Sequence, residues 1–138
     1  MTSGPAWKES MRVDVTSVDT QHEQLLEAIG RLRQLLDEGA DQETCIEHFD
    51  RINKLVREHF AHEERVMRNI GLPGFQRHKE IHDKLLEDLN AYRTRFIDHF
   101  DPEGVQAVYG YLAFWLFRHM TTDAAEIGRH IHRDQDAG

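Results

Sequence analysis

Residues 52–70 read Ile52-Asn53-Lys54-Leu55-Val56-Arg57-Glu58-His59-Phe60-Ala61-His62-Glu63-Glu64-Arg65-Val66-Met67-Arg68-Asn69-Ile70. At helical spacing, Ile52, Val56, His59, Glu63, Val66 and Ile70 share one face, in steps of four and three. A stripe with that period faces the core of a helix bundle. Its middle carries an imidazole and a carboxylate where apolar side chains are expected. Burying such groups without partners costs on the order of several kcal/mol each, so the other helices must supply something that compensates them.

Working outward, the same period appears three more times. Val18, His22, Leu25, Ile29, Leu32 and Leu36 form a first seam, in a helix that opens near Thr16-Ser17-Val18-Asp19, a capping-box pattern, and stops before Gly39. The second helix runs from about Asp41 to Ile70 and is closed by Gly71-Leu72-Pro73-Gly74. Phe75, His78, His82, Leu85, Leu89, Tyr92 and Phe96 form the third seam, in a helix fading near His99. Val105, Val108, Leu112, Leu116, His119, Asp123 and Ile127 form the fourth, beginning at Asp101-Pro102 and continuing to about His132. Short connections make consecutive helices antiparallel neighbours. The expected fold is all-α: one domain over 1–138, an up-down-up-down four-helix bundle over 16–132, a non-helical N-terminal arm over 1–15 and a tail over 133–138. Trp7, Met11, Val13 and Val15 of the arm are candidates to pack on the bundle.

Five histidines and two carboxylates thus occupy core positions: His22, His59, Glu63, His78, His82, His119 and Asp123. Their places along each helix bring all seven to the same end of the core. A metal resolves the burial problem, because it requires neutral imidazoles and ionised carboxylates inside a dry interior. Seven donors exceed the four of a structural zinc site. They suit two higher-coordinate ions bridged by carboxylates, with a position left for an outside ligand. Imidazole with carboxylate suits iron, although zinc, manganese and cobalt fit the donor chemistry as well.

Composition narrows the function. A chain of 138 residues with 39% hydrophobic and 30% charged residues has the balance of an ordinary soluble domain. No apolar run approaches the length of a membrane span and no signal-peptide layout opens the chain, so a cytoplasmic protein is expected. A net charge of -8 argues against nucleic acid and anionic membranes as partners. Cys45 is the single cysteine, which excludes an internal disulfide and a thiolate cluster, and reads as a small buried or half-buried helix residue.

Trp7, Val18-Asp19-Thr20-Gln21-His22, His59-Phe60-Ala61-His62-Glu63-Glu64, Met67, His78-Lys79-Glu80-Ile81-His82 and Trp115-Leu116-Phe117-Arg118-His119 closely resemble the bacterial hemerythrins, in the same order and with similar spacing. The resemblance implies an oxo- or hydroxo-bridged di-iron centre that binds dioxygen. By it, His78, His82 and His119 would hold the filled iron, His22 and His59 the iron with the open position, and Glu63 and Asp123 would bridge. Phe60, Leu25, Ile29 and Trp115 are candidates for the apolar lining. The expected function is reversible dioxygen binding, for carriage, storage or sensing, and not enzymatic. The alternative is a di-iron oxidoreductase handling peroxide or nitric oxide on the same scaffold. Dioxygen is the expected small partner, and an unidentified redox or oxygen-accepting protein is left open.

One departure stands out. Members of that family usually carry the last aspartate five residues after the helix-four histidine, whereas Asp123 lies four after His119. The usual basic-then-tyrosine ending is also missing. Glu126 is the substitute candidate, ranked lower because a continuous helix puts it about 10 Å beyond His119 along the axis. The other histidines read as solvated (His48, His62, His99) or as tail residues (His130, His132). Glu64 and Glu80 read as surface or supporting groups, and Tyr92 and Tyr109 as packing residues.

Overall fold

The computed structural model describes the backbone of residues 16–137 and the side chains of 18–122 and 124–131. The N-terminal arm, with Trp7, Met11, Val13 and Val15, lies outside the described residues. Five helices follow in order: α1 (Thr16–Asp37), α2 (Gln42–Asn69), α3 (Phe75–Asp98), α4 (Pro102–Thr121) and α5 (Asp123–Ala137). No strand occurs among the described residues.

The connections have local causes. The Asp41 carboxylate caps α2 by accepting a hydrogen bond from the Thr44 backbone N–H at 2.9 Å. Asp101 does the same for α4 through Gly104 N–H at 2.6 Å, with Pro102 opening the helix. Gly71 and Gly74 turn the chain between α2 and α3 with φ of 64° and 82°, a backbone region glycine enters at no steric cost. Around the bundle, α1 packs on α2 and α4, and α2 on α3, while α3 and α4 meet only loosely.

The fourth helix is not continuous. It breaks at Thr122, which has φ -121° and ψ -77°. The Thr121 and Thr122 hydroxyls bond back to Phe117 O at 2.9 Å and Arg118 O at 2.6 Å. Such back-bonding by a β-branched pair competes with the regular ladder and bends helices. The chain then resumes as α5, with Glu126 N–H donating to Thr122 O at 3.2 Å. Helix continues to Ala137, past the end expected near His132. The break is hidden from the sequence reading because the apolar seam keeps its period across it.

The core runs the length of the bundle. Leu25, Ile29, Leu32, Phe49, Ile52, Leu85, Leu89, Phe96, Leu112 and Leu116 are fully buried, each contributing about 1.5–3 kcal/mol of burial. Phe49 and Phe96 meet edge-on at 5.5 Å and fill one end. The polar residues fill the other, where α5 closes the bundle: Ala124 packs on Val18, and Ile127 packs with Met67 and Leu72.

Candidate metal centre

Five of the seven expected ligands, His22, His59, Glu63, His82 and His119, come together, and the sixth, His78, is buried beside Glu126. His22, His59, Glu63, His78, His82 and His119 are each no more than 2% exposed. The side chain of the seventh, Asp123, lies outside the described side chains; its backbone opens α5 just past the break.

Glu63 is the hub. Its Oε2 lies 2.7 Å from His59 Nε2, 2.9 Å from His119 Nε2 and 3.2 Å from His22 Nε2. Its Oε1 faces the other way, 3.2 Å from His82 Nε2. His119, expected beside His78 and His82, stands between the two groups: its ring centroid is 5.5 Å from that of His22, 5.7 Å from His59 and 5.6 Å from His82. His78 Nε2 has a different neighbour, Glu126 Oε2 at 3.3 Å. The lower rank given to Glu126 rested on a continuous helix, and the break at Thr122 removes that premise.

Outward hydrogen bonds fix which face of each ring looks inward. His59 Nδ1 donates to Gln21 Oε1 at 2.8 Å, and His82 Nδ1 donates to Glu64 Oε2 at 3.1 Å. A neutral imidazole bonded in this way carries a bare lone pair on Nε2. In that form each Nε2 stands close to an oxygen of Glu63, at 2.7 Å for His59 and 3.2 Å for His82, with no proton of its own to share. Glu63 Oε1, His78 Nε2 and His82 Nε2 are buried without a hydrogen-bond partner, although His82 Nε2 and Glu63 Oε1 are only 3.2 Å apart. Donors that approach without aligning on each other match a set built around a cation.

The spacing agrees. Two donors about 2.1 Å from one ion, at right angles, are about 3 Å apart. The nitrogen–oxygen distances above, 2.7–3.3 Å, bracket that value. His22, His59, Glu63 and His119 form a buried group able to hold a metal ion, with His82 adjoining it through Glu63 Oε1.

Electrostatics point the same way. Burial pushes the Glu63 carboxyl up, but the charges of His119 and His59 and hydrogen bonds from His119 and His22 hold it well below the usual range. Burial lowers His22 and His59, against the pull of Glu63. His82 is also lowered by burial, yet hydrogen bonds and charge from Glu63 and Glu64 leave it raised. For the metal-free protein this fixes a pH dependence. Stability tied to His22 and His59 is full above their ordinary value of 6.5 and is lost as pH falls through their lowered values. His82 works in the opposite sense, its contribution present below 6.5 and lost as pH rises through its raised value. The depressed Glu63 carboxyl also begins to lose its contribution toward acid, so the melting temperature of the metal-free protein should be lower at pH 5 than at pH 7. A melting temperature that rises over that interval would contradict the balance.

Aromatic rings brace the imidazoles. Phe60 stacks on His82 at 3.8 Å with the planes 1° apart, and Trp115 stacks on His119 at 4.8 Å and 9°. Leu25 and Ile29 are buried, as expected of lining residues. Where α3 and α4 meet loosely, a groove of about 570 Å³ runs in from the surface to Trp115 and His119. Arg77, Lys84 and Arg118 stand along it.

Several residues have roles the sequence reading missed. Gln21 was quoted only as part of a motif, and nothing in its own period pointed to a partner on another helix. His48, read as solvated, bonds Ala28 O at 2.7 Å, and His130, read as a tail residue, approaches Ile70 O at 3.1 Å. His99 is exposed, as expected, and pairs with Asp101 at 3.1 Å. Cys45 is buried, and burial raises its thiol.

Comparison with known proteins gives the family and the fold. A family profile described as the hemerythrin HHE cation binding domain matches residues 13–131. A bacteriohemerythrin of Pseudomonas aeruginosa is 28% identical over 119 residues, covering 86% of this chain and 76% of its own. A bacteriohemerythrin of Stenotrophomonas maltophilia is 24% identical over 131 residues, covering 92% and 84%. A myohemerythrin of Theromyzon tessulatum is 28% identical over 88 residues, covering 64% and 68%. A crystal structure of a hemerythrin point mutant superposes with a TM-score of 0.80 at 20% identity, covering 94% of this chain and 98% of that one.

Proposed function

Because this chain belongs to the hemerythrin HHE cation binding domain family, we propose that it binds dioxygen reversibly at a pair of non-heme irons. The ligands in this reading are His22, His59, Glu63, His78, His82, His119 and Asp123. Glu63 and Asp123 would bridge the two ions, with His78 and His82 on one side, His22 and His59 on the other, and His119 beside the Glu63 oxygen that faces His22 and His59. The observation that carries the reading is the two-sided Glu63, with Oε2 toward His22, His59 and His119 and Oε1 toward His82. One carboxylate presenting its two oxygens to different sets of imidazoles is what a bridge between two ions requires.

A ferrous pair held by these residues would supply the electrons for binding dioxygen. The protein supplies the surroundings. Gln21 and Glu64 hold the His59 and His82 rings in orientation, as carboxylate and amide partners do for metal-bound histidines. Phe60, Trp115, Leu25 and Ile29 keep water and stray protons from the centre, which slows irreversible oxidation. The described residues contain no helix long and apolar enough to cross a membrane. Delivery or storage is the role we favour over an enzymatic one, because the acidic groups at the centre among the described residues act in this reading as ligands or as partners of ligands.

The test is reversibility. Iron-loaded protein, reduced without oxygen and then exposed to air, should gain a visible absorption that disappears under argon, over repeated cycles. Rapid one-way oxidation with turnover of peroxide or nitric oxide would favour the oxidoreductase reading instead. A metal content of one ion per chain, or zinc alone from cells supplied with iron, would overturn the di-iron assignment.

A further inference from the structure

We propose that Glu126 is a further carboxylate ligand of the centre, standing on the His78 side. The inference rests on the di-iron reading and adds a donor to it. Four of the five buried imidazoles have Nε2 within 3.2 Å of a Glu63 oxygen. His78 is the fifth, and its Nε2 is buried without a hydrogen-bond partner. The carboxylate beside it is Glu126, with Oε2 at 3.3 Å. That separation falls in the range found around Glu63 and is too poorly aligned to count as a hydrogen bond between the two. It fits neighbouring positions on one ion, where donors lie about 3 Å apart.

The backbone explains how Glu126 arrives there. The break at Thr122 ends α4 and re-aims the chain, and Glu126 N–H bonds the Thr122 carbonyl in the first turn of α5. Ala124 and Ile127, on either side, are buried against Val18 and against Met67 and Leu72. Two buried anchors therefore fix the rotation of this turn. Glu126 itself is 36% exposed, so its carboxylate reaches the metal-facing nitrogen of His78 from the rim of the bundle.

An added anionic ligand has a chemical consequence. It strengthens the hold on iron and favours the ferric over the ferrous state, so it trades some reversibility for retention. Glu126→Gln keeps the size of the side chain and removes its charge. With iron-loaded protein and a ferric chelator in excess, the variant should release one of its two irons at least about ten-fold faster than the unaltered protein. Its ferrous form should also oxidise in air more slowly. Its metal-free melting temperature should be unchanged, because the side chain is partly exposed. Release at the unaltered rate, or a fall in metal-free stability that accounts for faster release, would overturn the proposal.

Asp123→Ala, measured alongside, tests the bridge alone. A severe Glu126→Gln with a damaging Asp123→Ala supports the added ligand, whereas a severe Glu126→Gln with a silent Asp123→Ala would make Glu126 the replacement of Asp123 and overturn the addition. Unaltered protein that fails to bind two irons would defeat the di-iron reading and this inference together. Two bound irons with an inert Glu126→Gln would defeat this inference only.

Discussion

Glu63→Ala should empty the centre, taking the iron content from two per chain to nearly none. Among the described residues, the Glu63 carboxylate is the group that meets imidazoles from α1, α2, α3 and α4, with its two oxygens serving different rings. Removing it leaves four buried imidazoles facing a gap. Breaking a buried, hydrogen-bonded ionic set of this kind costs about 3–5 kcal/mol, so the variant should also melt well below the unaltered protein. Metal analysis after loading, together with thermal unfolding, reads both effects. Iron content equal to that of the unaltered protein would remove Glu63 from the ligand set, and the two-sided carboxylate would then be a structural ion pair.

Phe60→Ala should lower stability by about 3–5 kcal/mol, the usual cost of deleting a buried aromatic ring. The ring is 2% exposed, lies flat on His82 and meets Trp115 edge-on at 5.4 Å. Its removal opens space directly beside a ligand. Water admitted there should speed one-way oxidation of the iron, while the count of two irons per chain is kept because no donor atom is lost. Denaturant titration gives the stability change, and repeated oxygenation cycles give the rate of loss. A change below about 1 kcal/mol would mean that neighbouring side chains refill the site.

The stripe that made helix two legible also predicted the centre. Its period alone put His59 and Glu63 inward, and the corresponding seams placed His22, His78, His82 and His119 at the same end. Five histidines at core positions have few physical explanations. What the period does not encode is the second partner of each ring. Gln21 and Glu64 sit beside the seams on α1 and α2, and their hydrogen bonds cross to α2 and α3; only the packing of the helices reveals them. The break in the fourth helix was foreshadowed by the paired Thr121-Thr122, but the seam of Leu116, His119 and Ile127 masked it. Glu126 was underrated for the same reason, since its distance from His119 was counted along a straight axis.

The glycine turn between α2 and α3 bears on the order in which the protein assembles. Gly71 and Gly74 fold those helices into a hairpin, and that hairpin carries His59, Glu63, His78 and His82. Glu64 and His82, which pair across it, are 18 residues apart in the chain, whereas Glu63 and His119 are 56 apart. The entropy lost in closing a loop grows with its length, and chains rich in local contacts fold faster than those that wait for distant ones. The hairpin is thus the part of the centre with the smallest closure cost, and α1 and α4 bring His22 and His119 to it from farther away. The least costly closure in the centre already carries four of the donors, and the remaining ones depend on contacts made across longer stretches of chain.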